Sequence, residues 1–172
     1  MRRTRIAFRV GSVASCIALP ALSLSAKAGA QDRAGFEAFV DRVTRAETEL
    51  FRGRSEPLKA LWSRTSDVSL FGVSGGRGDH GWEQVARRLD WASTQYSEGS
   101  LTVERIASYV EGNLGYVVQR EKARFKIAGQ ARDSLLEIRA TWVFRRERNE
   151  WRILHRQADP LMKRQGPAEP TS

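Results

Sequence analysis

Apolar residues recur at steps of three and four through Phe36, Phe39, Val40, Val43, Ala46 and Leu50, so residues 33–51 are expected to form an amphipathic helix. The segment FRGRSEP breaks it. Ser55 is placed to cap a second, short helix with Pro57 in its first turn, running through Leu58, Leu61 and Trp62. The stretch DVSLFGV, residues 67–73, alternates as a short strand and leads into the glycine-rich loop SGGRGDHG. A third helix from Trp82 to Tyr96 gathers Trp82, Val85, Ala86, Leu89, Ala92 and Tyr96 on one face, with Asp79 as its cap.

Beyond this helix the period changes to two. Residues 99–111 and 114–127 read as strands joined at Gly112-Asn113, and residues 134–147 and 150–159 as strands joined at Arg148-Asn149. The order is helix, helix, strand, helix, then two hairpins. Helices segregated from a run of antiparallel strands predict an α+β domain with the helices on one face of the sheet.

A two-residue turn at Arg148-Asn149 would pair Phe144 with Ile153, Trp142 with His155 and Ala140 with Gln157. His155 would then lie on the face of Leu136, Ile138, Ala140, Trp142 and Phe144, and Arg156 on the opposite face with Glu137, Arg139, Thr141 and Leu154. A slip of one residue would exchange the two faces. On the inner face a histidine is either a structural residue with satisfied nitrogens or a ligand-facing group that titrates near neutrality. Gln157 and Asp159 extend the same row, and three polar groups there suggest that the face opens into a cavity.

The first thirty residues differ from the rest. MRRTRIAFR carries four arginines, an apolar run extends to Leu24, and SAKAGA ends in small residues, the pattern of a secretory signal peptide cut after Ala30. The run is too short and too interrupted, by Pro20, to span a bilayer. Residues 1–30 are therefore expected to be removed, 31–160 to form one domain, and 161–172, with two prolines, to be a disordered tail. Cleavage would remove the single cysteine, Cys16, and with it any disulfide or cysteine metal site. It would also reduce the formal net charge from +9, leaving 24 basic against 20 acidic residues. So modest an excess, without a basic stripe interleaved with aromatics, gives no support for nucleic-acid binding.

Several motifs lack the context that would make them functional. Gly72-Val73-Ser74-Gly75-Gly76 matches a nucleophile elbow, yet seven residues separate Ser74 from the helix at Trp82, and the sheet is antiparallel. Gly76 to Gly81 matches a dinucleotide fingerprint without the parallel crossover that it needs. The loop reads better as a mobile lid or rim. His80 and His155 are the only histidines, too few for a zinc site, and no cofactor is expected.

The segments LWSRTSDVSLFGVSGGRGDHGWEQVARRL and LEIRATWVFRRERNEWRILHRQADP resemble the SnoaL-like branch of the nuclear-transport-factor-two-like superfamily, which includes ketosteroid isomerases and polyketide cyclases. The resemblance covers residues 36–160 and is carried by a D-V-x-L-F-G strand, a G-W-E-x-V helix start and a W-R-I-x-H last strand. It implies a cone-shaped α+β fold, with three N-terminal helices packed on a strongly curved, mainly antiparallel sheet, a pocket at one end, and a homodimer. The pocket positions it implies are Trp62, Asp67, Phe71, Trp82, Trp142, His155 and Gln157. Many relatives end in H-x-H where this chain has His155 and then Gln157.

Three functions remain open. One is cofactor-free proton transfer on a small, mostly apolar carbonyl compound, with Asp67 or His155 as base and Tyr116 or Gln157 as oxyanion donor. Another is ligand binding without reaction. The third is a homodimeric accessory domain. Each would operate in the periplasm or outside the cell, with no membrane contact after signal cleavage.

Overall fold

A computed structural model describes the backbone of residues 21–163 and 166, and the side chains from residue 30 on. Most of the expected signal peptide and tail lies outside the described residues. Helix α1 (Ala21–Phe51) runs through the expected cleavage site. Its inner stripe is the expected one: Phe36, Phe39, Val40, Val43, Ala46 and Leu50 are all buried.

Helix α2 (Glu56–Lys59) stops before Trp62; Ser55 holds its N-cap position as expected, but its hydroxyl donates to Asp90 at 2.7 Å and not to the helix backbone. Strand β1 (Ser69–Phe71) is shorter than the alternation suggested. The glycine-rich loop contains a strand that the sequence did not reveal, β2 (Asp79–His80), paired antiparallel with β1. Asp79 therefore does not cap helix α3 (Trp82–Ser93). Gly81, with φ of 80°, holds that position, and the Trp82 N–H donates to the Thr65 carbonyl.

Strands β3 (Tyr96–Glu111), β4 (Leu114–Ile127), β5 (Asp133–Glu147) and β6 (Glu150–Pro160) form an antiparallel meander. β1 joins it parallel to β6, giving the order β2-β1-β6-β5-β4-β3. Register shifts in β3, between Ser97 and Ser100 and between Arg105 and Ala107, interrupt the ladder where the sheet curves.

The helices cover the concave face. Phe36 makes edge contacts with Phe144 and Trp151 at 5.5 and 5.0 Å, closing one end of the core. At the other end α1 lies so close to β3 that a Cβ on Gly99 would come within 2.3 Å of Phe51 Cβ. The described core thus spans α1, α2, β1, α3 and all four long strands.

Candidate functional site

The β5–β6 hairpin turns at Arg148 and Asn149, both with positive φ, and Phe144 pairs with Ile153 as expected. The next pair is Val143 with His155, followed by Trp142 with Arg156. One extra residue at Leu154 makes a β-bulge, which exchanges the faces from that point onward. The buried positions of β6 are therefore Trp151 and Ile153, then Arg156 and Ala158. This corrects the expected register: His155 and Gln157 lie on the outer face, and Arg156 turns inward.

The outer-face residues have local partners. His155 Nδ1 is 2.9 Å from Ser69 Oγ, and its ring lies 5.9 Å from that of Phe71. Partial burial holds its pKa below the ordinary value, partly countered by a hydrogen bond at Ser69. Gln157 Nε2 donates to Asp159, and Tyr116 stacks on Tyr109 across β3 and β4. Trp82 sits under the Arg64 guanidinium at the start of α3. Asp67 is exposed and bound to Arg145 at 2.6 Å, and hydrogen bonds from Arg145 and Thr65 hold its carboxyl far below the usual range. Such a carboxylate is a very weak base.

Of the residues expected at the pocket, the structure brings Trp62 and Trp142 together. Both are 1% exposed, and both line an interior cavity of about 50 Å³. The same cavity is reached by Glu47 from α1, Leu70 from β1, Arg88 from α3 and Arg156 from β6. Ser74 also lines it, without a hydrogen-bonded base or acid among the described residues. The exposed Trp91 also lines it, so the cavity reaches the surface.

A charged cluster that the sequence reading did not identify meets the cavity through Glu47 and Arg156. Arg156 Nη2 donates to Glu47 Oε1 and to Glu121 Oε2, each at 2.7 Å. Glu121 Oε1 accepts two further hydrogen bonds, from Gln119 Nε2 at 2.7 Å and Trp142 Nε1 at 3.0 Å. The Arg156 guanidinium lies over the Trp142 ring. Burial opposes the charge on Arg156, but the two carboxyl groups more than offset it and keep its pKa above the ordinary value.

The two carboxyls are not equivalent. Glu121 has three donors, whereas Glu47 has one and its Oε2 is buried without a protein partner. Burial, then repulsion by Glu121 and a hydrogen bond shared with it, raise the Glu47 pKa to about 8 against the pull of Arg156. The direction favours one proton held by the Glu47–Glu121 pair, which leaves the cluster neutral overall. Trp62 Nε1 and Arg156 Nε are likewise buried without protein partners.

Two of these residues left a trace in the pattern. Glu47 falls four residues after Val43 on the apolar stripe of α1, and Glu121 alternates with Val117, Ala123 and Phe125 on the inner face of β4. Arg156 left none, because only the bulge turns it inward. Among the described residues, no three His, Cys, Asp or Glu side chains gather into a metal-binding group.

Comparison with known proteins agrees with this architecture. A family model for the SnoaL-like domain matches residues 37–162. A nuclear transport factor 2-like superfamily protein from Salmonella enterica superposes with a TM-score of 0.65 at 17% identity, covering 78% of this chain and 93% of that one. A putative scytalone dehydratase from Novosphingobium aromaticivorans gives 0.66 at 14% identity, over 80% and 89% of the two chains. A ketosteroid isomerase-like protein from Erwinia carotovora gives 0.64 at 11%, over 76% and 96%. No curated protein matches the sequence significantly. With the family match over most of its length and this helix-lined, curved six-stranded sheet, the chain belongs to the SnoaL-like domain family and has the nuclear-transport-factor-two-like cone fold.

Proposed function

We propose that the cone cavity binds a small, mostly apolar organic molecule bearing an oxygen acceptor, and that Glu47 donates a proton to that oxygen. The observation that carries this reading is the buried Glu47 carboxyl, bonded to Arg156 beside Glu121 at a cavity lined by Trp62 and Trp142, where burial and the neighbouring carboxyl favour its protonated form. Proton donation to oxygen is a step common to enolisation of a carbonyl, in which water takes the proton from the adjacent carbon, and to expulsion of a hydroxyl, so it suits both the isomerase-like and the dehydratase-like neighbours. The proton leaves Glu47 Oε2, and the carboxylate that forms already accepts from Arg156 at 2.7 Å. The charge of the site changes without a new partner being recruited.

Glu47→Gln tests this, because it keeps the shape and neutrality of the side chain and removes its acid. Wild-type protein is expected to retain a small molecule detectable by mass spectrometry, and to speed deuterium incorporation beside the carbonyl in a panel of small ketones in D2O. Glu47→Gln should retain the ligand and lose about 10²-fold or more of the exchange, the usual worth of a placed acid. Retention with no exchange in either protein reduces the site to a binding pocket. Absence of both refutes the reading.

A second reading, a homodimeric accessory domain, is favoured by the outer face of the sheet. Tyr109, Tyr116, Val143 and His155 are neighbours in register there, with Ile106, Tyr109 and Tyr116 exposed by 52%, 48% and 40%. An exposed, largely aromatic band of this kind suits a second copy of the chain. The two readings are compatible, since one uses the inner face and the other the outer. The basic, then apolar, then small-residue leader supports export, placing either function in the periplasm or outside the cell.

A further inference from the structure

We propose that the ligand of this cavity is a short oxo-carboxylate, whose carboxylate is held at the rim by Arg88 while its carbonyl oxygen enters the interior; the inference rests on the cavity being a ligand site. Among the residues that line it, Trp62 and Arg156 carry buried N–H donors, Nε1 and Nε, without protein partners, and Trp62 is 1% exposed. A buried donor left unpaired is costly, so an occupant that brings an acceptor is favoured over one that does not. The interior is small, so only the head of the ligand fits there. Its remainder must lie toward the wall formed by Leu70, Val73, Arg88 and Trp91.

Arg88 decides what that remainder carries. The charge on Arg156 is balanced within the cluster by hydrogen-bonded carboxyl groups. Arg88 also lines the cavity, but its nearest counter-charge, Asp79 Oδ2, is 4.0 Å from Nε, beyond hydrogen-bonding distance. Its guanidinium is instead positioned by packing, 4.4 Å from the centroid of the Trp91 ring and against Gly72, where a Cβ would approach Arg88 Nη2 to 3.3 Å. A planar guanidinium fixed on an indole, largely shielded and without a hydrogen-bonded anion, is suited to a carboxylate. Ligands with a carbonyl alone would satisfy the interior and leave Arg88 unanswered, and simple carboxylates would do the reverse.

The test uses calorimetric or NMR titration of the full chain with 4-oxopentanoate, 2-pentanone and pentanoate. 4-Oxopentanoate should bind about tenfold or more tightly than either of the other two, the worth of one charge-assisted hydrogen bond. Arg88→Gln should bring 4-oxopentanoate down to the level of 2-pentanone. Asp79→Asn, which removes the competing carboxylate, should tighten 4-oxopentanoate binding. If 2-pentanone binds as well as 4-oxopentanoate, or if Arg88→Gln leaves their ratio unchanged, the carboxylate inference is overturned and the cavity reading stands. If none of the three binds the wild-type chain, both fail together.

Discussion

Arg156 stands directly across β5 and β6 from Trp142, and its guanidinium carbon lies 4.8 Å from the centroid of that ring. The indole shields the cation, and Glu121 links the two by accepting from both. Removing the cation alone would leave a buried carboxylate facing an apolar wall. Arg156→Met should therefore cost about 3–5 kcal/mol, whereas Arg156→Met combined with Glu121→Gln should recover a large part of that loss. Chemical denaturation of the two single variants and the double variant checks it, and strictly additive losses would show that the pair is not coupled.

The pH dependence of stability should carry the mark of Glu47. Its pKa rises on folding from the ordinary 4.5 to about 8, so the folded state holds this proton more tightly than the unfolded chain. The stabilisation is complete below the unfolded value and is lost as pH rises through the folded one. Between about pH 4.5 and 8 the wild-type melting temperature should decline relative to that of Glu47→Gln, which has no such proton to lose. Parallel profiles for the two proteins would mean that Glu47 titrates normally.

Close packing of α1 on β3 makes Gly99 intolerant of a side chain for reasons unrelated to catalysis. An added Cβ would lie 2.3 Å from Phe51 Cβ and 2.4 Å from its carbonyl oxygen, so backbone as well as side chain must move. Gly99→Ala should destabilise by about 1–3 kcal/mol, the usual range for overpacking. Thermal melting gives the answer, and an unchanged melting temperature would mean that the helix is not seated as described.

The outer-face residues separate the two functional readings. Tyr116→Arg places a charge in the middle of the aromatic band and should convert a dimer into a folded monomer by light scattering, without loss of ligand retention. Asp67→Asn breaks an exposed ion pair with Arg145, worth at most about 1 kcal/mol. It should leave both stability and deuterium exchange nearly unchanged. A large loss of exchange in Asp67→Asn would return that carboxylate to the mechanism.

Much of the fold was legible because α1 keeps its period throughout and the long strands keep theirs over most of their length. Both hairpin turns were readable for the same reason, each marked by two residues suited to a tight turn. β2 escaped because a two-residue strand has no period, and the parallel pairing of β1 with β6 is non-local. The site was harder to read, since parity along β6 holds only up to Ile153. Past the bulge at Leu154 every inward assignment inverts, so that the sequence pointed to the histidine and concealed the arginine beside it. What fixes the bulge lies on other elements. Glu47 on α1 and Glu121 on β4 accept from an inward-facing Arg156, and no reading of β6 alone contains them. Both acids were visible as polar interruptions of mainly apolar faces, Glu47 on α1 and Glu121 beside Gln119 on β4, which is the signal that would have located the site.

The protonation of Glu47 in the folded protein tests the account most directly, through NMR of selectively carbon-13-labelled glutamate carboxyls, with Glu47→Gln identifying the resonance. The expected result is one buried carboxyl that stays protonated through neutrality and titrates near 8, and whose midpoint falls when Arg156 no longer faces Glu121 as well, as in Glu121→Gln. A Glu47 resonance that titrates in the ordinary carboxylate range would contradict it.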